Sequence, residues 1–151
     1  MRRLLLVTAV MGALACYPTT TRPRFLPLPE AATAEVELFV SEATRTLALA
    51  FETDSIPVLR TDTLDGYVES AWFDVKTRQP VRGLVLGQDV VKVRGWIEPG
   101  KPNHSVLTIE TVYRQVSDPS RDPRETERQV DGAHPVADAV RRILVALGAE
   151  P

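Results

Sequence analysis

Cys16 is the residue of this chain best placed to do chemistry. It is the only thiol, and it directly follows an uncharged apolar run, Leu4 to Ala15, introduced by Met1-Arg2-Arg3. The other candidates are poorer. His104 sits in the turn Pro99-Gly100-Lys101-Pro102-Asn103, and His134 lies beside Pro135. Two separated histidines without a second cysteine do not make a zinc ligand set. Ser105 adjoins His104, but neighbours on a strand point to opposite faces, and no serine occupies a Gly-x-Ser-x-Gly elbow. Asp62 with Asp65, and Asp74 with Glu69, are the carboxylate pairs. Asp65-Gly66 reads as turn chemistry, and a glycosidase pair needs a cleft for its substrate. The glycines at 66, 83, 87, 95, 100 and 132 are scattered and form no phosphate-binding loop. The expectation is no catalytic site, no metal site and no cofactor.

The segment before Cys16 has the order of a signal peptide. Arg2 and Arg3 supply the positive start, and the apolar run is about a dozen residues, against roughly 20 for a membrane-spanning helix. Small side chains at Ala13 and Ala15 admit the chain to a narrow peptidase groove. Ala13-Leu14-Ala15-Cys16 resembles the lipobox of bacterial lipoproteins, in which the cysteine is lipidated and becomes the new N-terminus. The resemblance covers residues 1–16 and implies removal of residues 1–15 and acylation of Cys16. Two other readings stand beside it: an ordinary secretory signal cut near Ala15, or a buried element of a cytosolic domain. With no other cysteine, no disulfide supports the fold.

A chain of 151 residues suggests one domain after the leader. Removing residues 1–15 takes away two arginines and no acid, moving the formal charge from −2 to −4. Such a domain has no electrostatic footprint for nucleic acid. Nor has it a polybasic patch for anionic lipid, so attachment would rest on acyl chains. Pro18, Pro23, Pro27 and Pro29 make residues 16–30 a candidate tether of polyproline II character, able to hold the domain about 40 Å from the lipid.

Residues 31–151 then read as one α+β domain. Val36, Val40, Ala43, Leu47 and Phe51 recur at helical spacing, predicting a helix from about Ala31 to Glu52 that ends before Ile56-Pro57. Four strands follow: Ile56 to Asp62, Tyr67 to Lys76, Val90 to Glu98 and Val106 to Val116. Ser117 to Gly132 is polar and proline-broken, a loop or strand extension outside the core. Val136, Val140, Ile143, Leu144 and Leu147 form the stripe of a closing helix, capped at Gly148. Neither helix is stable alone, so both must bury their stripes. The expected architecture is a two-layer sandwich, a four-stranded antiparallel meander with the N- and C-terminal helices on one face.

The opposite sheet face is the candidate interaction surface. With Val91, Val93 and Ile97 directed inward, Trp96 points outward among Lys92, Arg94 and Glu98, and Trp72 or Phe73 offers a second exposed aromatic. Aromatics with arginines are the composition of interaction surfaces. The competing reading is that the Trp96 indole folds over neighbouring strands into the core.

From about Ala34 to Phe73 the order of helix, Val58-to-Asp62 strand, Gly66 turn and Val68-Glu69-Ser70-Ala71-Trp72 is similar to the helix-and-sheet domains of the C subunit lipoprotein of the outer-membrane β-barrel assembly machinery. That likeness covers about a quarter of the chain and implies a fold, with no functional residues carried over. The lipoprotein resemblance also implies a site, since Tyr17 follows Cys16 where an aspartate retains many lipoproteins at the inner membrane. The expected protein is a non-enzymatic lipoprotein of the outer membrane, facing the periplasm. It would bind an envelope protein, with a role in outer-membrane or envelope assembly. The alternative is a small lipid or ligand carrier with a pocket between helices and sheet.

Overall fold

Two ten-residue strands carry the domain. In the computed structural model, which describes residues 20–148, β5 (Val90–Pro99) and β6 (Ser105–Arg114) pair antiparallel along their whole length, from Val91 opposite Tyr113 to Pro99 opposite Ser105. Five shorter strands complete the sheet: β1 (Ala32–Val36), β2 (Val58–Asp62), β3 (Tyr67–Ser70), β4 (Phe73–Asp74) and β7 (Glu127–Gln129). The order is β1-β6-β5-β3-β2, with β4 extending the β3 side of β5 and β7 extending the β1 side of β6. All pairings are antiparallel. The fold is a mixed α+β one with an open sheet of seven strands and two helices, α1 (Val40–Thr53) and α2 (Pro135–Ala146).

The count of four strands is therefore corrected to seven, and so is the first element. Ala31 to Leu38, expected to be helical, lies outside α1: Ala32–Val36 pairs with β6, Ala32 opposite Ile109 and Val36 opposite Ser105. Ala32, Ala34 and Val36 alternate as well as they fit a helical stripe, and pairing with an open edge of β6 overrides the helix preference of alanine and glutamate. The helix starts only after Phe39, whose extended backbone (ψ 153°) makes it the N-cap. The Tyr67-to-Lys76 strand is broken into β3 and β4 at Ala71-Trp72. Ser117 to Gly132 also joins the structure: Glu127 and Val130 are buried, and β7 pairs with Val112 to Arg114.

One core lies between the helices and the sheet. Ala43, Leu47 and Phe51 of α1 and Val136, Val140 and Ile143 of α2 meet Val91, Val93, Ile97, Leu107 and Ile109. α1 lies close over Gly95, where a Cβ would be 2.7 Å from a Leu47 methyl. The β2–β3 turn closes at Gly66 with φ +63°, and a Cβ there would meet the Ile97 carbonyl oxygen at 2.1 Å. His134 caps α2: its Nδ1 accepts from the Val136 amide, which assigns the ring proton to Nε2, facing the Gln88 carbonyl at 3.1 Å. Gly148 follows α2 at φ +82°, the left-handed position expected of it. The leader, Cys16 and Tyr17 lie outside the described residues.

Candidate functional site

The strand faces are as the alternation predicts, but the second face is not open. Trp96, Arg94 and Lys92 do point away from the helices, yet Trp96 is 2% exposed, and Arg94 and Lys92 are also buried. The cover comes from the stretch expected to be a free tether. Residues 21–28 run across this face as a strap. The Thr21 amide donates to Asp62 (3.1 Å), and Arg22 reaches the Asp65 carbonyl and the Glu98 carboxylate. Phe25 packs edge-on against Trp96 (6.2 Å between centroids), and the Leu28 amide donates to Glu110 (2.9 Å). Pro23 and Pro27 within the strap lower the entropy lost when it docks in extended form.

Beneath the strap is a closed ionic network. Arg94 on β5 grips Glu127 of β7 through both terminal nitrogens (2.7 and 2.9 Å) and also reaches Glu110 of β6 (2.9 Å). Arg124 holds Glu110 through two nitrogens (2.7 and 2.8 Å) and donates to the Leu26 carbonyl of the strap. Lys92 donates to Glu69 at 2.8 Å, and Glu69 also accepts from the Tyr67 hydroxyl at 2.6 Å. Three carboxylates, Glu69, Glu110 and Glu127, thus face three cations, Lys92, Arg94 and Arg124. The Phe25 ring lies under both guanidiniums, 5.2 Å from Arg94 and 4.5 Å from Arg124.

The protonation states follow from this packing. Burial works against the Glu69 carboxylate, but the hydrogen bonds from Lys92 and Tyr67 outweigh it and hold Glu69 below the ordinary glutamate range. Burial dominates at Lys92 and lowers it despite Glu69. Burial and the bond to Glu69 push the Tyr67 phenol up. Burial opposes the Arg94 charge, and the Glu127 and Glu110 carboxylates more than offset it. The three carboxylates and three cations match in number, and Arg94 Nε is buried without a hydrogen-bond partner.

The remaining chemical candidates have structural partners. Ser105 Oγ donates to the Leu38 carbonyl (2.7 Å), and His104 Nδ1 faces the Pro102 carbonyl (2.9 Å), so the two form no dyad. Asp62 caps the β2–β3 turn through the Leu64 and Asp65 amides, and Asp74 caps Lys76 and Thr77. Among the described residues no three His, Cys, Asp or Glu side chains gather as a metal site. No described helix is long and apolar enough to cross a membrane.

Other features are open to solvent. At the end of the sheet where β5 begins and β6 ends, Leu84, Val85 and Leu86 are exposed between Gly83 and Gly87. Leu84 and the exposed Val116 border one depression with Arg114, whose guanidinium lies 4.1 Å over the half-buried Trp72 ring. Of the four predicted surface residues, only Trp72 adjoins this patch. Sequence reasoning missed Leu84 to Leu86 and Val116. The available signal was an unbroken Leu-Val-Leu run between glycines, with no alternation to assign it to either sheet face. Another feature is an open cleft of about 860 Å³ lined by residues of β1, β6, β7 and α2. Ile109, Val130 and Val140 form apolar wall, and Gln129, with its side-chain oxygen unpartnered, lies at the polar side.

The chain matches no protein-family model, no curated protein and no solved structure.

Proposed function

We propose that this chain is a non-enzymatic lipoprotein of the bacterial envelope, a two-layer α+β module carried on acyl chains at Cys16. It sits at the periplasmic face of the outer membrane and binds an envelope protein. The observation that carries the binding function is the apolar loop Leu84-Val85-Leu86 with Val116, exposed beside the Arg114–Trp72 pair. Contiguous exposed apolar side chains rimmed by an arginine and an aromatic fit a protein partner. The buried Trp96, Arg94 and Lys92 do not serve as contacts while the strap is docked.

The lipid anchor is tested by intact mass of membrane-extracted protein, expected to show loss of residues 1–15 and added acyl mass, and by release of Cys16→Ser from membranes. A soluble wild-type chain with a free thiol overturns it. Binding is tested by photocrosslinking in native envelopes from positions 84 and 116. A discrete protein adduct, lost with Leu84→Glu, is expected. Labelling of no protein overturns the assignment of this surface.

The cleft favours a second reading, a small-ligand carrier, because its volume falls within the roughly 300–1,000 Å³ range of small-molecule sites. A small molecule retained on purification and expelled by Ala137→Trp, which fills the cleft, would establish that reading in place of the first.

A further inference from the structure

We propose that the end of the domain formed by the Thr63-to-Gly66 turn and the start of α1 lies against the lipid surface, with Leu64 and Phe39 in the interfacial layer. This rests on acylation of Cys16 as proposed above. The Asp62 carboxylate carries the geometry. One of its oxygens accepts the Thr21 amide and the other accepts the Leu64 amide, each at 3.1 Å. The first anchored residue of the strap and the tip of the turn therefore share one side chain. Four residues lie between Cys16 and Thr21, so five residue steps join them. An extended chain spans at most about 3.6 Å per residue, so an acylated Cys16 lies within about 18 Å of Thr21. The docked strap thus removes most of the reach of a free proline tether and brings this end of the domain to the membrane.

The side chains at that end suit the placement. Leu64 is 84% exposed and Phe39 63% exposed, and both border one depression with the turn from Pro99 to His104. Arg22 pairs with Glu98, and Lys101 pairs with Glu35, so two acids here carry their own counter-charges near the lipid. An interfacial residue enters only about 5–10 Å into the headgroup and acyl boundary, a depth that a leucine and a phenylalanine reach without moving the core. The exposed Leu84 and Val116 lie at the other end of β5 and β6, about 30 Å away by the rise of ten strand residues. That patch faces away from the membrane, where the proposed protein partner can reach it.

The test uses full-length lipidated protein, extracted from membranes and reconstituted in phosphatidylcholine vesicles holding lipids with a nitroxide near the headgroup. Leu64→Cys, Phe39→Cys, Leu84→Cys and Val116→Cys are labelled one at a time with a fluorophore. All four residues are exposed, and acylated Cys16 does not react with the label. Quenching several-fold stronger at 64 and 39 than at 84 and 116 is expected. Equal, weak quenching at all four positions with acyl mass present on Cys16 overturns this orientation and leaves the lipoprotein reading standing. Shielding of 64 and 39 from water without quenching also overturns it, in favour of a second copy of the chain at that end. Absence of acyl mass overturns the lipoprotein reading itself, and the orientation with it.

Discussion

Phe25 meets Trp96 edge to face, with centroids 6.2 Å apart and planes at 68°. That contact is one of several by which residues 21–28 turn an outward strand face into an interior. Tyr67 approaches Trp96 from β3 at 5.5 Å, so the indole has one aromatic neighbour from the sheet and one from the strap. Without Phe25, two guanidiniums and an indole would face water.

Phe25→Ala should therefore detach the middle of the strap. The half-buried ring makes two cation–π contacts and one aromatic contact, and its loss should cost about 1–3 kcal/mol. The denaturation midpoint should fall. Amide exchange at Leu28, whose N–H donates to Glu110, should accelerate more than exchange in β5. Unchanged exchange at Leu28 would show that the strap is held independently of Phe25.

Arg94 serves two buried carboxylates. Arg94→Met leaves Glu110 and Glu127 short of a counter-charge and should destabilise the domain by about 3–5 kcal/mol. Arg94→Lys should rescue only part of this, because an ammonium cannot reproduce the two-nitrogen grip on Glu127. Urea melts of the two variants decide the matter, and full rescue by lysine would contradict the geometry.

Stability should fall in acid. The folded-state value of Glu69 lies below its ordinary 4.5, so the native protein binds fewer protons than the unfolded chain in that window. Its contribution is complete above about pH 4.5 and is lost as pH falls through the lowered value. Asp62 adds the same sign below its ordinary 3.8, chiefly through the Asp65 and Thr21 amides, so the strap's first anchor should loosen there too. Lys92 acts at the other extreme. Burial lowers it below 10.5, and stability should rise with pH between the lowered value and 10.5. Glu69→Gln should flatten the acid limb of a pH-dependent urea titration, and an unaltered limb would remove Glu69 as its source.

Gly66→Ala should be more damaging than an exposed turn substitution usually is. The positive φ alone costs about 1 kcal/mol for alanine, and the new methyl would drive into the Ile97 carbonyl. Loss should appear as a lower melting temperature and faster exchange at Ile97, whose amide donates to the Gly66 carbonyl at 2.8 Å. Wild-type stability would mean that the hairpin has a second closure.

Much of the fold was legible from local pattern. The alternation in Val90 to Glu98 and Val106 to Val116 located the two long strands, observed as Val90–Pro99 and Ser105–Arg114, because each residue's face is set by chain geometry alone. The stripe from Val136 to Leu147 and the glycine behind it located α2, whereas the cap at His134 was not read from the sequence. Ala32–Val36 was misread because five residues with Ala, Glu and Val satisfy both periods, and only an unpaired edge of β6 selects the strand. β7 is three residues long, too short for any period, and is defined by its pairing with Val112 to Arg114 of β6.

The candidate surface divides the same way. Sequence placed Trp96, Arg94 and Lys92 on one side of β5 correctly, because alternation is covalent. Whether that side meets water was decided by contacts between residues far apart in the chain: Phe25 with Trp96, Leu28 with Glu110, Arg94 with Glu127. Exposure is a property of what lies on top, and no period in a strand encodes what another segment will do. The signal proposed for Met1 to Cys16 is the opposite case, read wholly from local order and composition, and that reading depends on no tertiary contact.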